Sequence, residues 1–159
     1  AHDDEVAPLD DEHVDMVAAL RPDPGAATAT VAEALAPIAR LPSAVLDMVG
    51  SGAADAQVRA DPARGSRLFA MASEALRQGS AGMASDIVAS SIAPWGFDPA
   101  EVNRPVDLWY GSDDVLVTPD HGSYWAKTLP DAHLHDVAGA GHLLPLTAWA
   151  DVLARLRQG

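Results

Sequence analysis

Only two segments of this chain have the apolar pattern of a buried β-strand, and both lie in its C-terminal third. They are Val106 to Tyr110 and His133 to Val137, and a segment with helical spacing follows each of them. Two strands separated by one helix at this distance predict a parallel βαβ arrangement. Residues 1 to about 93 show helical periods and almost no strand pattern. The sequence therefore predicts an α/β chain with a helical first part.

A sheet of two parallel strands is too small to be stable by itself. Parallel sheets bury both faces, and their backbone groups need neighbouring strands. We therefore expect the sheet to be incomplete within these 159 residues. A polypeptide upstream of the chain, or a second copy of it, would complete the sheet.

The first part of the chain reads as five short helices with proline and glycine between them. One face of the first helix carries Val14, Val17 and Leu20, and further helices are predicted over Thr30–Ala39, Ser43–Val49 and Met83–Ile92. The best-marked helix begins at the N-cap residue Asp61 and has Pro62 at its first position. Its predicted buried face carries Leu68, Met71, Ala72, Ala75 and Leu76.

The final helix is predicted from an apolar stripe at the C-terminus. Leu146, Trp149, Leu153 and Leu156 recur at helical spacing. This stripe predicts a helix that lies with its apolar face against the sheet.

Charge and composition exclude several classes of function. The net charge is −13, with only ten lysine and arginine residues, so we expect no nucleic-acid partner. The absence of cysteine excludes a catalytic thiol, a disulfide and a thiolate metal site. No apolar run reaches the roughly 18 to 20 residues of a membrane span, and no signal-peptide pattern is visible. We therefore expect a cytoplasmic protein without a membrane partner.

An acid and a histidine follow the two predicted strands. Asp114 lies beyond the first strand after Gly111, and His142 lies beyond the second strand after Gly139 and Gly141. Because the carboxyl ends of parallel strands meet at one edge of a sheet, the two side chains should lie close together. A carboxylate that accepts a hydrogen bond from an imidazole fixes its tautomer and leaves the other ring nitrogen free as a general base. The glycines should allow sharp turns, with positive φ at Gly139 and Gly141.

The surrounding motifs resemble the last third of an α/β-hydrolase. They comprise Pro94-Trp95-Gly96-Phe97-Asp98, the run from Pro105 to Asp114, Pro119, Leu129-Pro130 and Gly139-Ala140-Gly141-His142. The resemblance covers residues 94–157 and implies that residues 94–159 form the C-terminal β-α-β-α portion of the hydrolase core. It implies that Asp114 is the acid and His142 the base of a nucleophile-His-acid triad. Residues 1–93 would then correspond to the helical lid of that family. The resemblance also implies a small-molecule substrate and no cofactor.

The chain departs from that family in lacking a nucleophile. A Gly-x-Ser-x-Gly elbow occurs nowhere, and the serines of Gly50-Ser51-Gly52 and Gly79-Ser80-Ala81-Gly82 have other spacings. We therefore expect the chain alone to be inactive, with the nucleophile in the missing N-terminal hydrolase portion. An esterase-like activity on a carbonyl substrate is the first hypothesis. An aspartate nucleophile, as in dehalogenases and epoxide hydrolases of the same family, is compatible with the same residues.

Two other interpretations remain open at the level of sequence. The chain could be a noncatalytic assembly module that pairs through an exposed strand edge, with the Asp–His pair vestigial. It could also be a small doubly wound domain that holds a metal through Asp113 and Asp114, although two strands are few for such a fold. His133 and His135 alternate along a strand and share a face, but no third ligand is evident, so we predict a surface pair and no metal site.

Overall fold

The computed structural model describes residues 11–157, with the side chains of residues 14–41 and 43–157. Residues 1–10 of the predicted lid therefore lie outside the described part. Eight α-helices and two strands follow one another in the described residues. They are α1 (Asp11–Leu20), α2 (Pro24–Ala39), α3 (Pro42–Val49), α4 (Ala53–Ala60), α5 (Pro62–Ala75), α6 (Ala81–Ile87), β1 (Val106–Gly111), α7 (Pro119–Thr128), β2 (Ala132–Val137) and α8 (Pro145–Leu156). A π-helical turn (Val88–Ile92) continues α6, and a 3-10 turn (Pro99–Glu101) precedes β1.

The two strands form a parallel pair, so the predicted mixed α/β architecture is confirmed. Their register runs from Val106 opposite Ala132 to Gly111 opposite Val137. Helix α7 connects the strands and packs against one face of the pair. A Cβ atom at Gly122 would lie 2.8 Å from the ring of Tyr110 and 3.1 Å from Leu134, so the missing side chain at position 122 allows this close packing.

A small apolar core holds the helical part together. Ala27, Val88 and Ile92 are buried in it, and Val17 and Leu20 of α1 pack against them. Helix α2 begins at Pro24, where the Asp23 side chain accepts a hydrogen bond of 3.0 Å from the backbone N–H of Ala26. Tertiary packing of these short helices, rather than their length, therefore stabilises them.

Two helix predictions differ from the structure. Helix α2 begins at Pro24 and not at Thr30, because Asp23 caps it and Pro24 suits a first helical position. Helix α4 was not predicted, since Val58 is the only large apolar residue in its Ala53–Ala60 sequence. The helical part consequently contains one more helix than the sequence indicates.

Two predicted buried faces are partly wrong. In α5, Leu68, Ala72 and Leu76 are buried as predicted, whereas Met71 is 61% exposed and Ala75 is exposed. In α8, the side chain of Trp149 is 56% exposed and that of Leu156 is 64% exposed. The apolar stripe of α8 therefore has no complete cover among the described residues, and Ala148 is buried in its place.

None of the described helices is both long and apolar enough to cross a bilayer alone. Helices α2 and α3 meet the length and composition criteria only together, and they are bent by 115°.

A charged cluster lies on the sheet face that carries Asp107, Trp109 and His135. One carboxylate oxygen of Asp107 lies 2.7 Å from His135 Nε2 and accepts a hydrogen bond of 2.9 Å from Arg155 Nε of α8. The indole of Trp109 stacks on the His135 ring with centroids 4.3 Å apart. The hydrogen bonds from His135 and Arg155 lower the pKa of the Asp107 carboxyl below its usual value of 3.8. This cluster links β1, β2 and α8.

We expect Asp107→Asn to reduce the free energy of unfolding at neutral pH. A carboxyl group whose pKa is lower in the folded state stabilises the fold above its unfolded pKa, and this contribution is lost as pH falls through the folded pKa. The stability difference between the variant and the original chain should therefore persist from neutral pH down to about pH 4 and shrink below it. Urea denaturation at a series of pH values measures it.

Asp131→Asn is the matched control for this experiment. Asp131 also lies near a histidine, 3.5 Å from His133 Nε2, but its side chain is 54% exposed and no arginine of the described residues pairs with it. We expect a smaller stability change in this control. An Asp107→Asn variant with the stability of the original chain at neutral pH would contradict the prediction.

Candidate acid–base site

Asp114 is held in a tight turn immediately after β1. Its backbone N–H donates to the carbonyl of Gly111, and its Oδ1 accepts hydrogen bonds from the backbone N–H groups of Leu116 and Val117 at 2.8 and 2.9 Å. These bonds orient the carboxylate from within its own loop. The residue is only 8% exposed, so the remaining oxygen, Oδ2, is directed to a partner inside the protein.

That partner is His142, which follows β2. His142 Nδ1 lies 3.1 Å from Asp114 Oδ2. The predicted proximity of Asp114 and His142 is therefore observed, and their catalytic role stays a prediction. The His142 side chain is 31% exposed, and no described residue makes a hydrogen bond to its Nε2. In the tautomer with a proton on Nδ1, the ring donates to Asp114 and presents Nε2 as a base.

The two loops that carry this pair are in direct backbone contact. The N–H of Asp113 donates to the carbonyl of Ala140 at 2.9 Å, and the hydroxyl of Ser112 accepts from the N–H of Gly139 at 2.8 Å. A Cβ at Gly111 would lie 2.6 Å from the carbonyl carbon of Ala140. Glycine at 111 is therefore required for the loops to approach this closely.

The glycines of the histidine loop have two different roles. Gly139 has a φ of +73°, as predicted for a turn residue. The prediction of a positive φ at Gly141 is wrong. A Cβ at Gly141 would lie 2.6 Å from the carboxyl carbon of Asp55, so this glycine is needed for close approach rather than for its dihedral angles.

Asp55 of α4 is a site residue that the sequence did not reveal. It is 1% exposed, and its two carboxylate oxygens accept hydrogen bonds from the backbone N–H groups of His142 and Leu143 at 3.1 and 2.7 Å. It lies 87 residues before His142, in a helix with a single large apolar residue, so no local spacing indicated the contact. A possible signal was Asp55 in the first turn after Gly52, which is a common capping arrangement and not specific.

The pKa of the Tyr110 hydroxyl on β1 depends on burial and on the nearby Asp114. Burial raises the pKa of its hydroxyl, and the negative charge of Asp114 raises it further. Tyr110 therefore stays neutral at physiological pH and does not compete with His142 as a base.

The other candidate residues do not join this site. Asp113 accepts a hydrogen bond from the Ser112 hydroxyl at 2.9 Å, while His133 and His135 lie nearest to two different aspartates, Asp131 and Asp107. Among the described residues, no three histidine, aspartate or glutamate side chains form a group that could hold a metal ion. The arrangement brings together one carboxylate, that of Asp114, and one imidazole, that of His142.

A cleft of about 760 Å³ lies near the histidine loop but does not include the acid–base pair. Its walls come from α4, the start of α5, the Val137–Gly141 segment and α8. Neither Asp114 nor His142 lines it, so we do not assign it as the place where a substrate would meet His142.

Comparisons with known proteins add no family to this description. No family model matches the chain, and a search of curated proteins finds no significant relative.

We expect Gly111→Ala to reduce the free energy of unfolding by about 1–3 kcal/mol, because its Cβ meets backbone atoms of Ala140 that cannot move without displacing the histidine loop. Urea denaturation, with the midpoint and slope fitted together, measures the change.

Gly82→Ala is the matched control, since a Cβ at this position of α6 meets no atom within 4 Å. We expect it to increase the free energy of unfolding by about 0.4–1 kcal/mol, because alanine reduces the entropy of the unfolded chain. Equal effects of the two substitutions would contradict the close-contact role of Gly111.

Proposed function

We propose that this chain is the C-terminal portion of an α/β-hydrolase and supplies the acid, Asp114, and the base, His142, of a nucleophile-His-acid triad. The reaction would be hydrolysis of a small carbonyl compound such as an ester. The nucleophile and the oxyanion donors would come from the polypeptide upstream of this chain, so the isolated chain would be inactive.

The observation that carries the proposal is the orientation of His142. Its Nδ1 faces the buried carboxylate of Asp114 at 3.1 Å, and its Nε2 is left without a partner among the described residues. This is the arrangement in which the acid stabilises the imidazolium that forms when Nε2 takes a proton from a nucleophile. His135 also contacts an acid, Asp107, but that side chain is 20% exposed and shared with Arg155, whereas Asp114 is 8% exposed and its Oδ2 contacts His142.

The two strands differ in a way that supports an upstream partner at β1. Strand β1 is largely apolar, with Leu108, Trp109 and Tyr110 in succession, as is typical of a strand inside a parallel sheet. Strand β2 instead carries the polar residues His133, His135 and Asp136, and charged or polar side chains are typical of a natural sheet edge. We therefore propose that the upstream portion pairs with the free edge of β1.

The exposed apolar stripe of α8 also supports an incomplete protein. Trp149, Leu153 and Leu156 are 56%, 40% and 64% exposed although their spacing is that of a buried helix face. Large exposed apolar groups on one face indicate a surface that another polypeptide covers.

The first test joins this chain to the polypeptide that precedes it in its gene and measures hydrolysis of p-nitrophenyl acetate. We expect His142→Ala and Asp114→Asn each to reduce kcat by about 10⁴-fold, because they remove the base or the group that fixes its tautomer. The preceding sequence should contain a nucleophile elbow after a predicted strand.

His133→Ala is the control in that assay, since His133 lies on β2 beside Asp131 and away from His142. We expect its activity to equal that of the original protein. Activity that survives both His142→Ala and Asp114→Asn, or a preceding sequence without a nucleophile after a strand, would contradict the proposal.

The same exposed surfaces favour a second function, assembly of two copies through the β1 edge and the α8 stripe. In that case the Asp114–His142 pair would be vestigial. We expect light scattering of the isolated chain to give a discrete mass of two chains at all concentrations tested. The double substitution Trp149→Ser and Leu153→Ser should then give single chains, because it removes apolar contact area.

Asp151→Ser is the control for this experiment, because Asp151 lies on the same helix, is exposed and is not apolar. An isolated chain that is a folded monomer would contradict the assembly function. A monomer after fusion to the upstream portion, combined with His142-dependent hydrolysis, would favour the hydrolase.

A further inference from the structure

We infer that Asp55 is a positioning residue that fixes the backbone of the catalytic histidine to the helical part of the protein. This inference rests on the proposed function and goes beyond it by assigning a residue of α4 to the acid–base machinery. Asp55 contacts neither a substrate nor a reacting atom. It acts through the backbone of His142 and Leu143.

Both carboxylate oxygens of Asp55 accept a hydrogen bond from the backbone of the histidine loop. Oδ2 accepts from the N–H of His142 at 3.1 Å, and Oδ1 accepts from the N–H of Leu143 at 2.7 Å. Each oxygen therefore holds one of two consecutive amides. Two hydrogen bonds to one planar group fix both the position and the direction of the peptide that follows Gly141.

Burial makes this contact costly to lose. Asp55 is 1% exposed, and a buried carboxylate needs hydrogen-bond donors to compensate for the loss of water. The only hydrogen bonds that its side chain makes within the described residues are those to His142 and Leu143. The carboxylate and the histidine loop therefore stabilise each other.

The role is distinct from helix capping. An aspartate in the first turn of a helix ordinarily interacts with the N–H groups of its own helix. Asp55 lies in the first turn of α4, yet its partners lie 87 and 88 residues later in the chain. Gly141 is needed for this contact because any side chain there would overlap the carboxylate.

The consequence concerns the ring of His142. Because Cα of His142 lies directly after the amide that Asp55 holds, the hydrogen bonds to Asp55 determine where the imidazole can reach. Asp114 contacts the ring at Nδ1, and Asp55 fixes the backbone that carries the ring. Two aspartates from different parts of the chain thus hold the base at two points.

The test is Asp55→Asn in this chain, read by ¹⁵N chemical shifts of the His142 ring. An asparagine has one acceptor oxygen and one amide group, so it can accept from only one of the two N–H groups, and its own N–H₂ would face the other. We expect the population ratio of the Nδ1–H to the Nε2–H tautomer of neutral His142 to fall by about tenfold or more, because the ring loses its alignment with Asp114.

Asp61→Asn is the matched control. Asp61 also lies in the helical part and accepts a backbone N–H, that of Arg64 at 2.8 Å, and asparagine caps a helix as well as aspartate. This variant removes the same charge and should leave the tautomer ratio of His142 unchanged. A ratio that is the same in Asp55→Asn, Asp61→Asn and the original chain would overturn the inference.

If Asp55→Asn does not fold, hydrogen exchange on the unaltered chain tests the same contact. We expect the amides of His142 and Leu143 to exchange about 10- to 100-fold more slowly than that of Gly139, whose acceptor is the exposed hydroxyl of Ser112. Exchange at His142 and Leu143 as fast as at Gly139 would overturn the inference.

The activity assay separates this inference from the proposed function. In the protein joined to its upstream portion, Asp55→Asn should lower kcat by about 10- to 100-fold and leave KM unchanged, while Asp61→Asn changes neither. If His142→Ala abolishes hydrolysis and Asp55→Asn behaves like Asp61→Asn, the inference alone fails. If hydrolysis is indifferent to His142→Ala, the proposed function fails, and the tautomer ratio still tests the contact.

Discussion

Close backbone contact between the loops after β1 and β2 is the constraint on which the candidate site depends. The Asp113 N–H donates to the Ala140 carbonyl at 2.9 Å. The loops are so close that no side chain fits at position 111, which is a glycine. A parallel register alone brings the strand ends to neighbouring positions, but side chains 28 residues apart meet only if the loops also touch. The geometry of Asp114 and His142 is therefore a consequence of backbone packing, not of their mutual attraction.

The acid and the base have different environments, and this difference decides what the pair can do. Asp114 is 8% exposed and uses one oxygen for backbone amides, so the other is directed only at His142. The His142 side chain is 31% exposed, and no described residue makes a hydrogen bond to its Nε2. An exposed acid would lose much of its effect on the ring to solvent, since the interaction of two charges weakens as the dielectric constant rises.

The sequence predicted this pair because its position follows from topology. Val106 to Tyr110 and His133 to Val137 have strand patterns, and residues just beyond parallel strands share one edge of a sheet. Asp55 escaped prediction for a physical reason. Helix α4 is rich in alanine and polar residues, and its contact with His142 depends on how the helical part folds over the loops, which no local period encodes.

The wrong burial prediction for α8 has a different origin from the missed contact of Asp55. Its apolar stripe predicts a buried face, yet Trp149 and Leu156 are exposed in the described residues. An amphipathic pattern reflects helix formation as well as burial, so it can predict the helix correctly while the described residues leave its stripe exposed. Strand β1 has a comparable pattern: three consecutive apolar residues, Leu108 to Tyr110, are typical of a strand between two others, whereas β2 is its one partner strand among the described residues. At β1 and α8 the apolar pattern and the observed burial differ in the same direction, and this agreement is the basis of the proposed upstream partner.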